Sequence, residues 1–176
     1  MSDSSITKKA LADALKQLMQ TTSFSKISVG NICSLCDMNR KSFYYHFKDK
    51  YDLIHWIFYT EFITTVAHDV PEDGWELLLK ACQYFYDNKT FYVNAFEIDG
   101  QDSFREYFTE VLKFLLLEYF EDVFPDEEHT IFFSSYFTEA YVLAIQHWLA
   151  EEDWPPEEFV KELKTFLKSM AEKILD

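Results

Sequence analysis

The chain has 176 residues, 48% hydrophobic and 27% charged, with a formal net charge of −15. This is a globular composition, which excludes disordered and fibrous classes, and three glycines with four prolines are too few punctuators for a many-turned β-sandwich. The polar first residues exclude a signal peptide, and no apolar run approaches the roughly 18 residues of a membrane span, so a cytoplasmic protein with no membrane partner is expected.

The first element is helical. Ile6, Ala10, Leu11, Ala14, Leu15 and Leu18 recur at spacings of three and four, a single apolar stripe from about Ser5 to Met19. "TTSFSKIS" breaks it. Ser28 then suits the N-cap of a short second helix whose buried side is Val29, Ile32, Cys33 and Cys36. The Cys33-x-x-Cys36 spacing has two readings, core packing or a metal or redox pair. No second Cys/His pair stands at finger spacing, and an odd total of three cysteines fits free thiols in a reducing compartment. No cofactor is expected. After the turn Asp37-Met38-Asn39, Asn39 can cap a third helix, Arg40 to about Phe47, with Phe43 and Phe47 facing inward. Asp49 opens a fourth, in which Tyr51, Ile54, Phe58 and Phe62 share one side as far as about Val66.

"HDVPEDGW" is the clearest break in the chain. It divides a helix-turn-helix head, residues 1–50 with a connecting helix 51–66, from a second helical domain, residues 67–176. Five more helical patterns follow: Trp75 to Asp87, Lys89 to Phe96, Ser103 to Phe124, Glu127 to Ala150 and Pro156 to Leu175. The fold class is therefore all-α, an N-terminal three-helix head plus a C-terminal bundle, about nine helices in total.

The second and third helices carry the function. A short helix, a three-residue turn and another short helix with a polar outer face form a helix-turn-helix pattern. Asn39, Arg40, Lys41, Ser42, Tyr44, Tyr45 and His46 offer donors on the outer face, and Phe43 and Phe47 brace the back. A reader entering a major groove about 12 Å wide needs this division. Charge agrees locally: residues 1–66 carry eight basic against six acidic side chains, +2, leaving −17 on the remainder. The alternative from pattern alone is a helical bundle with an incidentally basic face.

At this point "ISVGNICSLCDMNRKSFYYHFKDKYDLI" resembles the DNA-binding signature of the TetR family of transcriptional regulators, over about residues 6–62. The resemblance rests on Phe24, Ile27, Ser28 and Ile32, then Phe43-Tyr44-x-x-Phe47, Lys50 and Leu53. It departs at Asp37, where the family usually has Gly; Asp tolerates a left-handed backbone better than most residues but adds a negative charge near the DNA. The resemblance implies that Ser28 bonds a phosphate and that Arg40, Lys41 and Ser42 read base edges. It further implies that Tyr44 and His46 touch the DNA backbone and that Lys50 clamps a phosphate. It implies a homodimer on a palindromic double-stranded operator.

The second domain has the size expected of such a family's effector and dimerisation region. "HWLAEEDWPPEEF" is similar to a helix junction in a compact branch that includes dihydroxyacetone-kinase regulators. In the last helix Val160, Leu163, Leu167, Met170 and Ile174 step by three and four, a coiled-coil-like seam. With Phe137, Ala140, Ala144 and Trp148 of the preceding helix it suits a four-helix bundle shared by two chains. The aromatics of residues 75–124 are read either as the lining of a cavity for a small-molecule or protein effector, or as core. His68 beside Asp69 is a weaker metal candidate. No phosphate loop, nucleophile elbow or metallohydrolase spacing is present, so an enzyme is not expected. The competing function is an adaptor that works through a protein partner held by the acidic helical domain.

Overall fold

A computed structural model describes residues 3–66, 73–98, 100, 103–121 and 126–175, apart from the side chains of Asp3, Thr65, residues 118–121, Ala171, Ile174 and Leu175. Among the described residues there are helices and no strands. The head comprises α1 (Asp3–Leu18), a 3-10 turn (Phe24–Lys26), α2 (Val29–Leu35) and α3 (Arg40–His46). A connecting rod follows: α4 (Lys50–Phe58), a π turn (Tyr59–Ile63) and the single turn α5 (Thr64–Val66). The body is built from α6 (Gly74–Asp87), α7 (Lys89–Phe96), α8 (Phe104–Glu121), α9 (Glu127–Glu151) and α10 (Pro156–Leu175).

Local chemistry sets the helix ends. Ser28 accepts from the Asn31 amide, and the Asn31 side chain accepts from the Ser28 amide in return, a capping box. At the other end of α2, Asp37 takes φ 54° and Met38 donates to Cys33 O at 2.8 Å. This is a Schellman stop with Asp in the position usually given to Gly. Asn39 caps α3 through the Ser42 amide, and Asp49 caps α4 through the amides of Tyr51 and Asp52. Asp73 and Asp126 do the same for α6 and α9. Pro156, with Glu157 and Glu158, opens α10 as its sequence predicts.

One apolar core runs through head and body. Leu11, Leu15, Ile32, Phe43, Leu53 and Ile57 close the head. Phe58 and Phe62, on the same rod, enter the body and stack at 4.5 Å, where Phe85, Tyr92, Phe104 and Phe108 pack edge-on and face-on around them. Phe85, Tyr92, Phe104 and Phe108 fill the space between the helices as core, the second of the two sequence readings. A partly open, mostly apolar cavity of about 260 Å³ lies beside them, lined by Leu77, Leu78, Ala81, Leu112 and Leu116 together with Phe62, Trp75 and Tyr141.

In the body α8 lies along α9 and α10 packs on α6. The seam expected for dimerisation is only partly outward. Trp148 is 2% exposed, stacked on Phe159 at 4.6 Å, with its indole N–H donated to Trp154 O. Val160 is buried as well. Both belong to the chain's own core. Phe137, Ala144, Leu163 and Leu167 are half-buried, and Ala140 and Met170 are exposed. The side chain of Ile174 lies outside the described residues, as do His68 and Asp69. Phe132, Tyr136 and Leu143 also stand outward on α9, and Phe166 stands outward on α10 with the seam residue Met170.

Candidate nucleic-acid interface

The third helix is held from behind. Phe43 and Phe47 are buried, 5.8 Å apart, and Phe47 meets Trp56 of α4 at 5.7 Å. A seven-residue helix has too few internal hydrogen bonds to persist alone, so this anchoring is what makes α3 rigid. Its front is open. Tyr45 is 82% exposed and Tyr44 58%, and Arg40 and Lys41 are also exposed. Ser42 and His46 are half-buried, the His46 ring lying edge-on to Tyr45 at 4.9 Å.

Two of the expected contacts are engaged in capping. The Asn39 side chain accepts from the Ser42 amide at 2.9 Å. The Ser28 hydroxyl donates to Asn31 Oδ1 at 2.6 Å. Between α2 and α3 these groups line an open polar hollow of about 450 Å³, with Gly30, Asn31, Ser34 and Arg40. The sequence reading missed Gly30, Asn31 and Ser34. Gly30 could have been found: a Cβ there would come within 2.7 Å of Arg40 Nη2, so its bare backbone leaves room for the guanidinium to fold over α2.

Lys50 is engaged within the head. Its ammonium donates to Phe24 O at 2.6 Å and Ile27 O at 2.8 Å and sits 4.3 Å above the Phe24 ring. Burial pulls its pKa down. Here it ties the 3-10 turn to the start of α4. The physical reason is reach: the carbonyls of Phe24 and Ile27 at the end of the 3-10 turn lie within hydrogen-bond distance of the ammonium. Lys48, two residues earlier, is exposed. Lys8 lies over the rings of Phe47 and Trp56 at 5.5 and 5.7 Å.

The Cys33-x-x-Cys36 pair is resolved as packing. Cys33 is buried in the head core, and the Cys36 thiol donates to Ile32 O at 3.3 Å. Burial raises both thiols above their ordinary range, so neither is poised as a thiolate ligand. Among the described residues no group of three or more His, Cys, Asp or Glu could hold a metal ion, and no helix is long and apolar enough to cross a membrane.

A braced short helix with an open donor-rich front, carried on an all-helical body, defines a helix-turn-helix transcriptional regulator. Residues 11–57 match the model of the bacterial regulatory proteins of the tetR family, and residues 73–169 match that of a transcriptional regulator C-terminal region of the same family. The chain belongs to the TetR family, whose members are regulators and not enzymes. It is 35% identical over 100 residues to the HTH-type dhaKLM operon transcriptional activator DhaS of Lactococcus lactis subsp. lactis (strain IL1403). That alignment takes in 56% of this chain and about half, 54%, of the relative. A solved structure of the dihydroxyacetone kinase operon activator DhaS superposes with a TM-score of 0.70 at 25% identity, covering 94% of this chain and 96% of the other. A TetR regulator from Streptococcus agalactiae 2603V superposes at 0.71 with 18% identity, covering 93% and 94%, a likeness of fold alone.

Proposed function

We propose that the chain is a homodimeric regulator that binds a palindromic operator through α3 and is controlled by an effector at its C-terminal body. The observation that carries this is the division of α3: Phe43 and Phe47 wholly inside, Arg40, Lys41, Tyr44 and Tyr45 outside. A rigid back and a flexible cationic front is what base-edge and phosphate contacts in a major groove require. In this reading Arg40, Lys41 and Ser42 reach base edges. Tyr44, Tyr45 and His46 border the DNA backbone, joined by Lys48, while Ser28, Asn39 and Lys50 act mainly by holding the helices that present them. The head is assigned to residues 1–50 with the rod to 66, and residues 67–176 to effector and dimer contacts.

Dimerisation is supported by the apolar side chains exposed on α9 and α10, Phe132, Tyr136, Leu143, Phe166 and Met170, which a second copy would cover. The effector seat is the apolar cavity of about 260 Å³ between α6 and α8. The likeness to DhaS makes promoters of dihydroxyacetone kinase operons the first to test. The decisive experiment selects bound duplexes from a random pool, then measures affinity for the winner against scrambled DNA. Arg40→Ala is expected to relax preference at particular base pairs by about 1–3 kcal/mol each. Equal affinity of the unaltered protein for all duplexes would refute operator reading, and capture of a protein partner unaffected by Arg40→Ala would favour the adaptor alternative.

A further inference from the structure

Between head and body runs a line of polar groups that DNA contact does not use. Lys16, near the end of α1, places its ammonium 2.7 Å from Glu61 Oε2. The Tyr84 hydroxyl of α6 donates to the same oxygen at 3.3 Å. Tyr92 of α7 stands 2.8 Å from the Tyr84 oxygen. Since Tyr84 spends its proton on the carboxylate, Tyr92 is the donor in that last contact. A second strap runs alongside, from Asn94 Nδ2 to Met19 O at 3.1 Å. Thus the helix that opens the head is tied to two helices of the body through one carboxylate.

That carboxylate sits on the π turn of the connecting rod. A π turn closes i→i+5 hydrogen bonds, and such turns are rare insertions in helices found frequently at functional sites. The next residue, Phe62, borders the apolar cavity and packs on Tyr84 at 5.4 Å and on Phe85 at 5.4 Å. Anything that enters the cavity and displaces Phe62 therefore moves the neighbouring Glu61. Tyr84 and Tyr92 are buried side chains in a tight aromatic cluster, so they cannot follow by simple rotation. Either the carboxylate keeps Tyr84 and pulls Lys16, or it keeps Lys16 and drops Tyr84.

We propose that Glu61 is a positioning residue that sets the angle of α1, and so of the DNA-reading head, by holding Lys16 and Tyr84 at once. This rests on the reading of the cavity as the effector seat and supplies the route by which that seat reaches the head. Coupling of this kind needs a shared two-state element, and the shared carboxylate on the π turn is that element.

The test is a double-mutant cycle on the full chain with two readouts. Tyr84→Phe with Tyr92→Phe removes both hydroxyls without stranding either one in the core. Hydrogen exchange of the last turn of α1 is measured relative to α8 amides, which report global opening. Operator affinity is measured on the duplex selected from the random pool. The paired tyrosine change is expected to speed α1 exchange and weaken operator binding by roughly threefold or more in the otherwise unaltered chain. In a Glu61→Ala background it is expected to do neither, because no acceptor is left to join Lys16 and Tyr84. Lys16→Arg, which keeps the ion pair, should retain the coupling. The same tyrosine effect in both backgrounds, or none in either, would overturn the assignment. Exchange needs no DNA, so a chain that binds no operator would fail the proposed function while α1 exchange still decides the role of Glu61.

Discussion

At the scale of single residues, small atoms around α2 and α3 decide how the reading face is presented. Adding a Cβ at Gly30 meets Arg40 Nη2 at 2.7 Å, the far end of a flexible side chain, with Arg40 Nε and Ser28 Oγ both at 3.4 Å. Gly30→Ala should therefore leave the fold intact and stabilise α2 by up to about 1 kcal/mol, since alanine is the better helix former. Thermal melting should register that gain, while duplex selection shows a changed base preference as the guanidinium is pushed outward. Lys50 separates two roles in one measurement. Lys50→Met strips the charged donor from Phe24 O and Ile27 O and should lower stability by about 1–3 kcal/mol in a denaturant titration. A plain phosphate clamp would lose affinity at unchanged stability. The buried tyrosines make a third expectation. Burial raises Tyr84 and Tyr92 well above the ordinary tyrosine pKa of 10.0. Below pH 10 both folded and unfolded chains hold these protons and the stability is complete. As pH rises past 10, unfolded tyrosines ionise while the folded ones do not, so stability falls from there upward towards the folded pKa. The melting midpoint should drop across that range, and less steeply in Tyr92→Phe.

At the scale of elements, the helix-turn-helix was legible because each of its parts leaves a local signature. Ser28, Asn39 and Asp49 each precede an apolar-periodic segment, and each proves to be a cap. The α2–α3 turn offers a sharp check. Asp37 sits at φ 54°, where glycine carries no penalty, so Asp37→Gly should add about 0.5–1 kcal/mol, read from the denaturation midpoint. It should also tighten DNA binding at low salt by removing a carboxylate near the face. The π turn was not legible, though a trace of it exists. Ile54, Phe58, Phe62 and Val66 are all buried and step by four three times. On a helix of 3.6 residues per turn each such step drifts by about 40°, which would carry the last of them off the core face. The π turn absorbs that drift. α9 misled for a different reason. Its inward face includes the small hydroxyl residues Thr130, Ser134 and Thr138, and its outward face holds Phe132, Tyr136 and Leu143. Thr130 and Ser134 return their hydroxyls to Asp126 O and Ile131 O of the same helix, so burial leaves them bonded while they let α8 approach closely. A hydrophobic pattern alone cannot reveal that inversion, and Trp148 and Val160, expected in the seam, belong to the chain's own core.

At the scale of the whole molecule, that inversion and the charge distribution lead to one expectation. The chain carries −15 overall, yet residues 1–66 are +2, so the body repels a phosphate backbone while the head is weakly attracted. A single head with Arg40, Lys41 and Lys48 on its open side neutralises few phosphates, and against an acidic body this gives weak binding. Two heads fixed on one duplex release twice the counterions, and the second contact occurs at high effective concentration. The acidic bodies must then be joined by something other than charge, and the exposed side chains of Phe132, Tyr136 and Leu143 supply the apolar area. Tyr136→Glu with Leu143→Glu places two like charges where the copies would meet. Since both side chains are exposed in the single chain, its own fold should be little affected. Sedimentation should then report a monomer with an unchanged helical spectrum. On the selected operator, the slope of log affinity against log salt should fall to about half that of the unaltered protein, because half the phosphates are neutralised. A full slope retained in a proven monomer would mean that one head binds alone, and the palindromic operator would have to be abandoned.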